Sequence, residues 1–136
     1  EDLKPQFPKA KEVLDAMGII HFEIDNYEAD DIIGTYANLI EKDPEFIGTI
    51  ISSDKDLLQL ISNQIDVKLL KQKDYIRMDK KVFKETYGLE PINMIDLKGL
   101  MGDPSDNIPG VKGVGEKTAL NLIKEFVIWL KNHKNS

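Results

Sequence analysis

Tyr27-Glu28-Ala29-Asp30-Asp31-Ile32-Ile33-Gly34-Thr35 sets three carboxylates within four positions and leads straight into an apolar periodicity. Ile32, Ile33, Tyr36, Ala37 and Ile40 recur at helical spacing, so Glu28, Asp30 and Asp31 fall in the first turn of a helix that carries its own core face. Acidic residues are common in a first turn, where free N–H groups and the helix dipole favour them. Taken alone, the cluster needs no other explanation.

Before this stretch, Ala10, Val13, Leu14 and Met17 share one face of a helix expected over 8–17, with Pro8 in its first turn and Gly18 at its stop. Ile19 to Ile24 is β-rich and predicts a strand, with His21 as a strand residue rather than a ligand. After it, the Glu28 helix is expected to run to about Asp43, with Pro44 marking the turn. Phe46 to Ile51, Ile65 to Leu70 and Tyr75 to Met78 are further strand candidates, and a short helix carries Leu57, Leu58, Leu60 and Ile61. Strands alternating with helices predict an α/β domain with a mainly parallel sheet. Ligands bind outside the carboxyl ends of the strands in such sheets. Asn26 to Asp31 would follow the first strand and Ser53 to Asp56 the second, which puts both acidic groups on one sheet edge.

From Asp79 onward the pattern is helical. Val82, Phe83 and Tyr87 form a helix closed by Gly88. Pro91 opens another with Ile92, Ile95, Leu97 and Leu100 as its apolar set. A glycine-rich turn leads into a last helix whose buried face is Ala119, Leu122, Ile123 and Phe126.

Three acidic groups therefore punctuate the chain: Glu28, Asp30 and Asp31; Asp54 and Asp56; Asp103 and Asp106. Asp54 or Asp56 can cap the helix that follows, and Asp103 and Asp106 can shape the turn around Pro104. Convergence is harder to explain locally, since two carboxylates about 4 Å apart repel by about 4 kcal/mol at an effective dielectric of about 20. Divalent cations offset that repulsion, and Mg²⁺ prefers carboxylate oxygen and water. Two such ions can activate a water and stabilise the leaving oxygen of a phosphodiester. The chemistry expected is Mg²⁺-dependent phosphoryl transfer. Gly110, Gly113 and Gly115 let backbone N–H groups approach a phosphate ahead of a helix N-terminus, with Lys112 and Lys117 beside them. An ordinary hairpin relieved by glycines accounts for the same residues.

Composition bounds these readings. The 136 residues suit one compact domain, or one domain plus a small helical appendage. There is no cysteine and there are only two histidines, His21 and His133, which leaves no thiolate site and argues against a His-rich zinc site. No apolar run approaches the roughly 20 residues of a membrane span, so a cytoplasmic protein is expected. The net charge of −6 speaks against a non-specific nucleic-acid coat, but the charge is segregated. Beyond Asn107 the basic residues are Lys112, Lys117, Lys124, Lys131 and Lys134, against Glu116 and Glu125.

Four motifs in order resemble the 5′-nuclease family, whose type is the 5′→3′ exonuclease domain of bacterial DNA polymerase I. They are Tyr27 to Asp31, Ser53 to Leu60, Gly102 to Val111 and Gly113 to Ala119. The resemblance implies a PIN-like, resolvase-like α/β domain over 1–88 and a helix–three-turn–helix module over 89–136. It implies that Glu28, Asp30 and Asp31 bind a first metal, and that Asp54, Asp56, Asp103 and Asp106 serve the second, with Mg²⁺ or Mn²⁺ as the two ions. Gly110, Lys112, Gly113, Val114, Gly115, Lys117 and Thr118 would grip duplex DNA, with K⁺ at the glycine turn. The substrate implied is DNA with a 5′ end or 5′ flap, in replication and repair.

The resemblance begins after the family's opening strand, with its metal-binding Asp, and after its helical arch. The carboxylate set is then incomplete, and the expected partner is a complementing segment or the rest of a DNA polymerase I-like chain. The alternative is a structure-specific DNA-binding module or inactive fragment without catalysis. A nucleotide phosphohydrolase on a similar sheet is a third, weaker reading.

Overall fold

A computed structural model of the chain describes residues 3–133, with side chains through Leu130; Lys134 lies outside the described residues. Two compact units result, residues 1–32 and 33–136.

The first unit is built on helix α1 (Gln6–Ala16). It stops at Met17 and Gly18, where the backbone turns left-handed at φ 69° as a glycine permits. An ion pair joins Lys11 to Glu23, and His21 Nε2 lies 3.0 Å from Asp15 Oδ1. The strand expected over Ile19 to Ile24 does not form: these residues pair with no strand, and Ile20 and Phe22 are exposed. Their β propensity is local, whereas a strand needs a hydrogen-bonded neighbour, and the described residues supply none. The helical face of Val13 and Met17 is likewise exposed.

Helix α2 (Ala29–Ile40) begins at the end of this unit and continues into the next. It is shorter than expected because the chain turns at Glu41 and Lys42, before Pro44. Ala37 is its buried residue, and Ile40 is half-buried.

Three strands form the main sheet of the second unit: β1 (Gly48–Ser52), β2 (Ile65–Leu70) and β3 (Tyr75–Met78). β1 and β2 are parallel, with Gly48 opposite Ile65; β3 returns antiparallel, with Val67 opposite Met78. The α/β class therefore holds, with a mixed sheet in which β2 is central. Among the described residues β2 is flanked on both sides and is buried along most of its length, while β1 alternates between half-buried and exposed, the pattern of a strand with one covered face. Gln64, just before β2, ties down the connection between α2 and β1, its side-chain amide lying within hydrogen-bond distance of the carbonyls of Ile40, Asp43 and Phe46.

α3 (Lys80–Tyr87) has clear local causes. Asp79 caps it by accepting a hydrogen bond from Val82 N at 2.8 Å, and Gly88 ends it at φ 67°. A 3₁₀ turn at Pro91–Asn93 leads into α4 (Met94–Met101), and α5 (Glu116–His133) is the last element of the described residues. The core gathers Leu58, Val67, Phe83, Met94, Leu97, Ala119 and Ile123. α4 and α5 thus complete the same core as the sheet. Met94 and Leu97 are the buried face of α4, whereas Ile92 and Ile95 are exposed; on α5, Ala119 and Ile123 are buried, whereas Leu122 and Phe126 are exposed. The apolar stripes of both helices are wider than the face the core covers.

Between α4 and α5 lies a short antiparallel ladder, β4 (Gly102–Asp103) with β5 (Ile108–Pro109), which the sequence pattern did not predict.

Candidate metal centre

β1 delivers its chain directly to Ser53 and Asp54, outside its carboxyl end, as the sheet topology predicts. Ser52 Oγ accepts from Asp54 N at 3.0 Å, and Asp54 Oδ1 accepts from Asp56 N at 2.8 Å. These bonds wind the chain into the 3₁₀ turn Asp56–Leu60, whose Leu57 and Leu58 anchor it in the core. Asp56 is thereby held at the start of the turn.

The second arm is the β4–β5 loop. Asp103 is 8% exposed although it is a carboxylate. Its Oδ1 accepts from the Ser105 backbone N–H at 3.0 Å and from the Ser105 hydroxyl. Asn107 adopts a left-handed conformation at φ 57°, and Asp106 beside it is exposed. Asp56, Asp103 and Asp106 each offer an oxygen, and these three oxygens lie within 4.8 Å of one another. Two segments separated by more than 40 positions thus converge on one spot.

A positive charge already sits there. Lys98, on α4, places its Nζ 2.7 Å from Asp56 Oδ1 and 2.5 Å from Asp103 Oδ2. Asp56 Oδ1 is shielded from solvent, and the ammonium is its counter-charge. Hydrogen bonds from Lys98 and then from Ser105 hold the Asp103 carboxyl down to about 2. The bonds to Asp103 and Asp56 push Lys98 above the ordinary lysine range, so the ammonium stays charged. The sequence reading missed Lys98. Its only signal was a cation one turn before a Gly-Asp pair, which also describes a lysine on a solvated helix face.

The donor set fits a small hard cation. Octahedral Mg²⁺ with bonds of about 2.1 Å needs ligand oxygens about 3.0 to 4.2 Å apart, and these three lie within 4.8 Å of one another. All donors are carboxylate oxygens, the chemistry Mg²⁺ and Mn²⁺ prefer. Asp54 is the acid of the expected group whose carboxylate is engaged differently, on the Asp56 amide. Asp54 and Asp103 each shape a local turn, and those turns bring Asp56, Asp103 and Asp106 together.

Glu28, Asp30 and Asp31 belong to the first unit. Asp30 and Asp31 are in the first turn of α2, and Asp31 Oδ2 accepts from Glu28 N at 3.0 Å. That bond reproduces half of a capping box. All three residues are exposed. The shared sheet edge expected for them loses its basis, because no strand forms over Ile19 to Ile24.

The glycine turn reaches α5 with Lys112, Gly113, Gly115, Lys117 and Thr118 exposed and Val114 half-buried. Gly113 is left-handed at φ 83°, and Val114 N donates to Val111 O at 3.0 Å. A Cβ on Gly113 or Gly115 would meet nothing within 4 Å, so the approach to their backbone is open. Gly110 differs, because it packs against the backbone of Met101 and Gly102.

Comparison with known proteins agrees with this architecture. Residues 1–88 match the family described as "5'-3' exonuclease, N-terminal resolvase-like domain", and residues 89–131 match "5'-3' exonuclease, C-terminal SAM fold". DNA polymerase I of Bacillus subtilis is 50% identical over 127 residues, covering 92% of this chain and 14% of the polymerase. The 5'-3' exonuclease of the same organism is 46% identical over 127 residues, covering 92% of this chain and 42% of that protein. The chain thus spans under half the length of either relative. Among solved structures, the bacteriophage T5 flap endonuclease in a pseudo-enzyme-product complex with DNA and metal ions superimposes with a TM-score of 0.72 at 28% identity. That match covers 87% of this chain and 43% of the phage protein.

Proposed function

This chain belongs to the 5′-3′ exonuclease family, and on that premise we propose that it hydrolyses DNA phosphodiesters at 5′ ends and 5′ flaps using divalent cations. The observation that carries the reading is the convergence of Asp56, Asp103 and Asp106 on one spot. These residues, with Asp54 in support, hold one ion, Mg²⁺ or Mn²⁺; Glu28, Asp30 and Asp31 serve a second. A cation bound there supplies Lewis-acid stabilisation of phosphodiester oxygens and an activated water. Ser105 and the β4–β5 ladder orient Asp103, and the Asp54 turn orients Asp56.

The grip on the substrate falls to the other end of the chain. The first N–H groups of α5 lack intrahelical partners and favour an anion, and Gly113 and Gly115 leave the approach clear. Gly110, Lys112, Val114, Lys117 and Thr118 complete the surface that holds duplex phosphates, with K⁺ as a bridging ion at the turn. The work is done in the cytoplasm, within a longer DNA polymerase I-like chain or together with a complementing segment.

A flap duplex labelled at its 5′ strand, incubated with Mg²⁺ or Mn²⁺ and separately with chelator, tests this. Metal-dependent release by the wild type, lost in Asp54→Asn with Asp56→Asn, is the expected result. Equal release by the double variant would overturn the assignment. The engagement of Asp56 and Asp103 by Lys98 favours one other reading, structure-specific DNA binding without catalysis. Salt-sensitive duplex binding with no metal-dependent release would select it.

A further inference from the structure

We propose that Lys98 is a built-in counter-cation of the Asp56–Asp103 pair, standing in for the metal ion when none is bound and competing with it when one arrives. The inference rests on reading the cluster as a cation site, and it concerns what that site does when empty.

Three observations converge on it. Lys98 Nζ contacts both carboxylates, at 2.7 Å and 2.5 Å, and these come from segments otherwise far apart in sequence. The two carboxylates it engages belong to the group a cation would draw on. Asp103 Oδ1 already accepts from the Ser105 backbone and hydroxyl, and Lys98 holds the other oxygen, Oδ2. Asp56 Oδ1 is shielded, with the ammonium as its counter-charge. Finally, the lysine can leave. Its side chain is 35% exposed, and an ammonium on a flexible four-carbon stem swings to solvent more readily than a planar guanidinium held by two parallel bonds.

The consequences are opposite for the two states. Without metal, the ammonium offsets the repulsion between Asp56 and Asp103 and holds the 3₁₀ turn against the β4–β5 loop. With metal, those contacts must be surrendered, which lowers the apparent affinity. Removing the charge should therefore weaken the empty protein and strengthen cation binding.

The test is calorimetric titration of Mn²⁺ into the metal-free 136-residue chain, comparing wild type, Lys98→Met and Lys98→Met with Asp106→Asn, alongside thermal melts without metal. Lys98→Met is expected to bind Mn²⁺ about fivefold to tenfold more tightly, a gain of up to about 1.4 kcal/mol. Asp106→Asn should abolish the gain, and the metal-free melting temperature of Lys98→Met should fall. Mn²⁺ affinity unchanged or weakened in Lys98→Met would overturn the inference while leaving the cation site standing. Binding by neither wild type nor Lys98→Met would overturn the site and the inference together. If Lys98→Met does not fold, Lys98→Gln is read by the same criteria.

Discussion

Gly102 and Gly110 meet through bare backbone: a Cβ on Gly102 would stand 2.3 Å from the Gly110 nitrogen. Gly102 also sits at φ 74° and ψ 177°, a region open almost only to glycine. This contact closes the β4–β5 ladder that carries Asp103. Gly102→Ala should cost about 3 kcal/mol or more, since backbone strain and steric overlap add. Gly115→Ala, where a Cβ meets nothing within 4 Å, should stay within about 0.5 kcal/mol of wild type. Urea midpoints of the two variants check both values.

Asp66 and Arg77 make a pH-dependent pair, with Arg77 Nε 2.5 Å from Asp66 Oδ2. Burial pushes the Asp66 carboxyl up, but hydrogen bonds from Thr49 and Arg77 and the charges of Arg77 and Lys68 outweigh it, and the carboxyl lies below its usual range. A group so depressed contributes stability above its unfolded value of about 3.9 and loses it as pH falls through the folded value. Arg77→Met should cost about 1 kcal/mol at pH 7, a figure discounted because the arginine side chain is 67% exposed. The gap to wild type should narrow as the pH is lowered below about 3.9. Urea titrations at several pH values read it.

Lys112 and Lys117 flank the open glycine turn. If both contact phosphates, Lys112→Ala with Lys117→Ala should weaken duplex binding and reduce the slope of log K against log salt by about 1.8. Fluorescence anisotropy with a labelled duplex over a range of salt measures it. An unchanged slope would remove these lysines from the interface.

Phe83 is fully buried at the centre of the core, its ring 4.7 Å from that of Tyr87. Phe83→Ala should cost about 3 to 5 kcal/mol. Lys98→Met touches none of those contacts, so a denaturant scan should separate loss of the core from a change at the metal centre.

The sequence was most readable where local rules and tertiary needs coincide. β2 and β3 carry β-branched and aromatic runs bounded by polar turns, and they form over the expected residues, Ile65–Leu70 and Tyr75–Met78. α3 has its cap and its stop written beside it in Asp79 and Gly88. Ile19 to Ile24 was misread because β propensity does not say whether a neighbouring strand is there to pair with. Asp103 and Asp106 are neighbours in sequence, but Asp56 was joined to them only by the family resemblance; topology put the end of β1 at the ligand edge of the sheet without saying that the β4–β5 loop meets it there. Lys98 was not legible, because its approach to Asp56 is created only when α4 packs beside the 3₁₀ turn.

The most direct measurement is anomalous diffraction from crystals soaked in Mn²⁺. The account predicts a manganese peak about 2.1 Å from carboxylate oxygens of Asp56, Asp103 and Asp106, with Lys98 Nζ withdrawn from Asp56 and Asp103. A saturating soak that places no peak among these three residues, with Lys98 still bridging the pair, would contradict it.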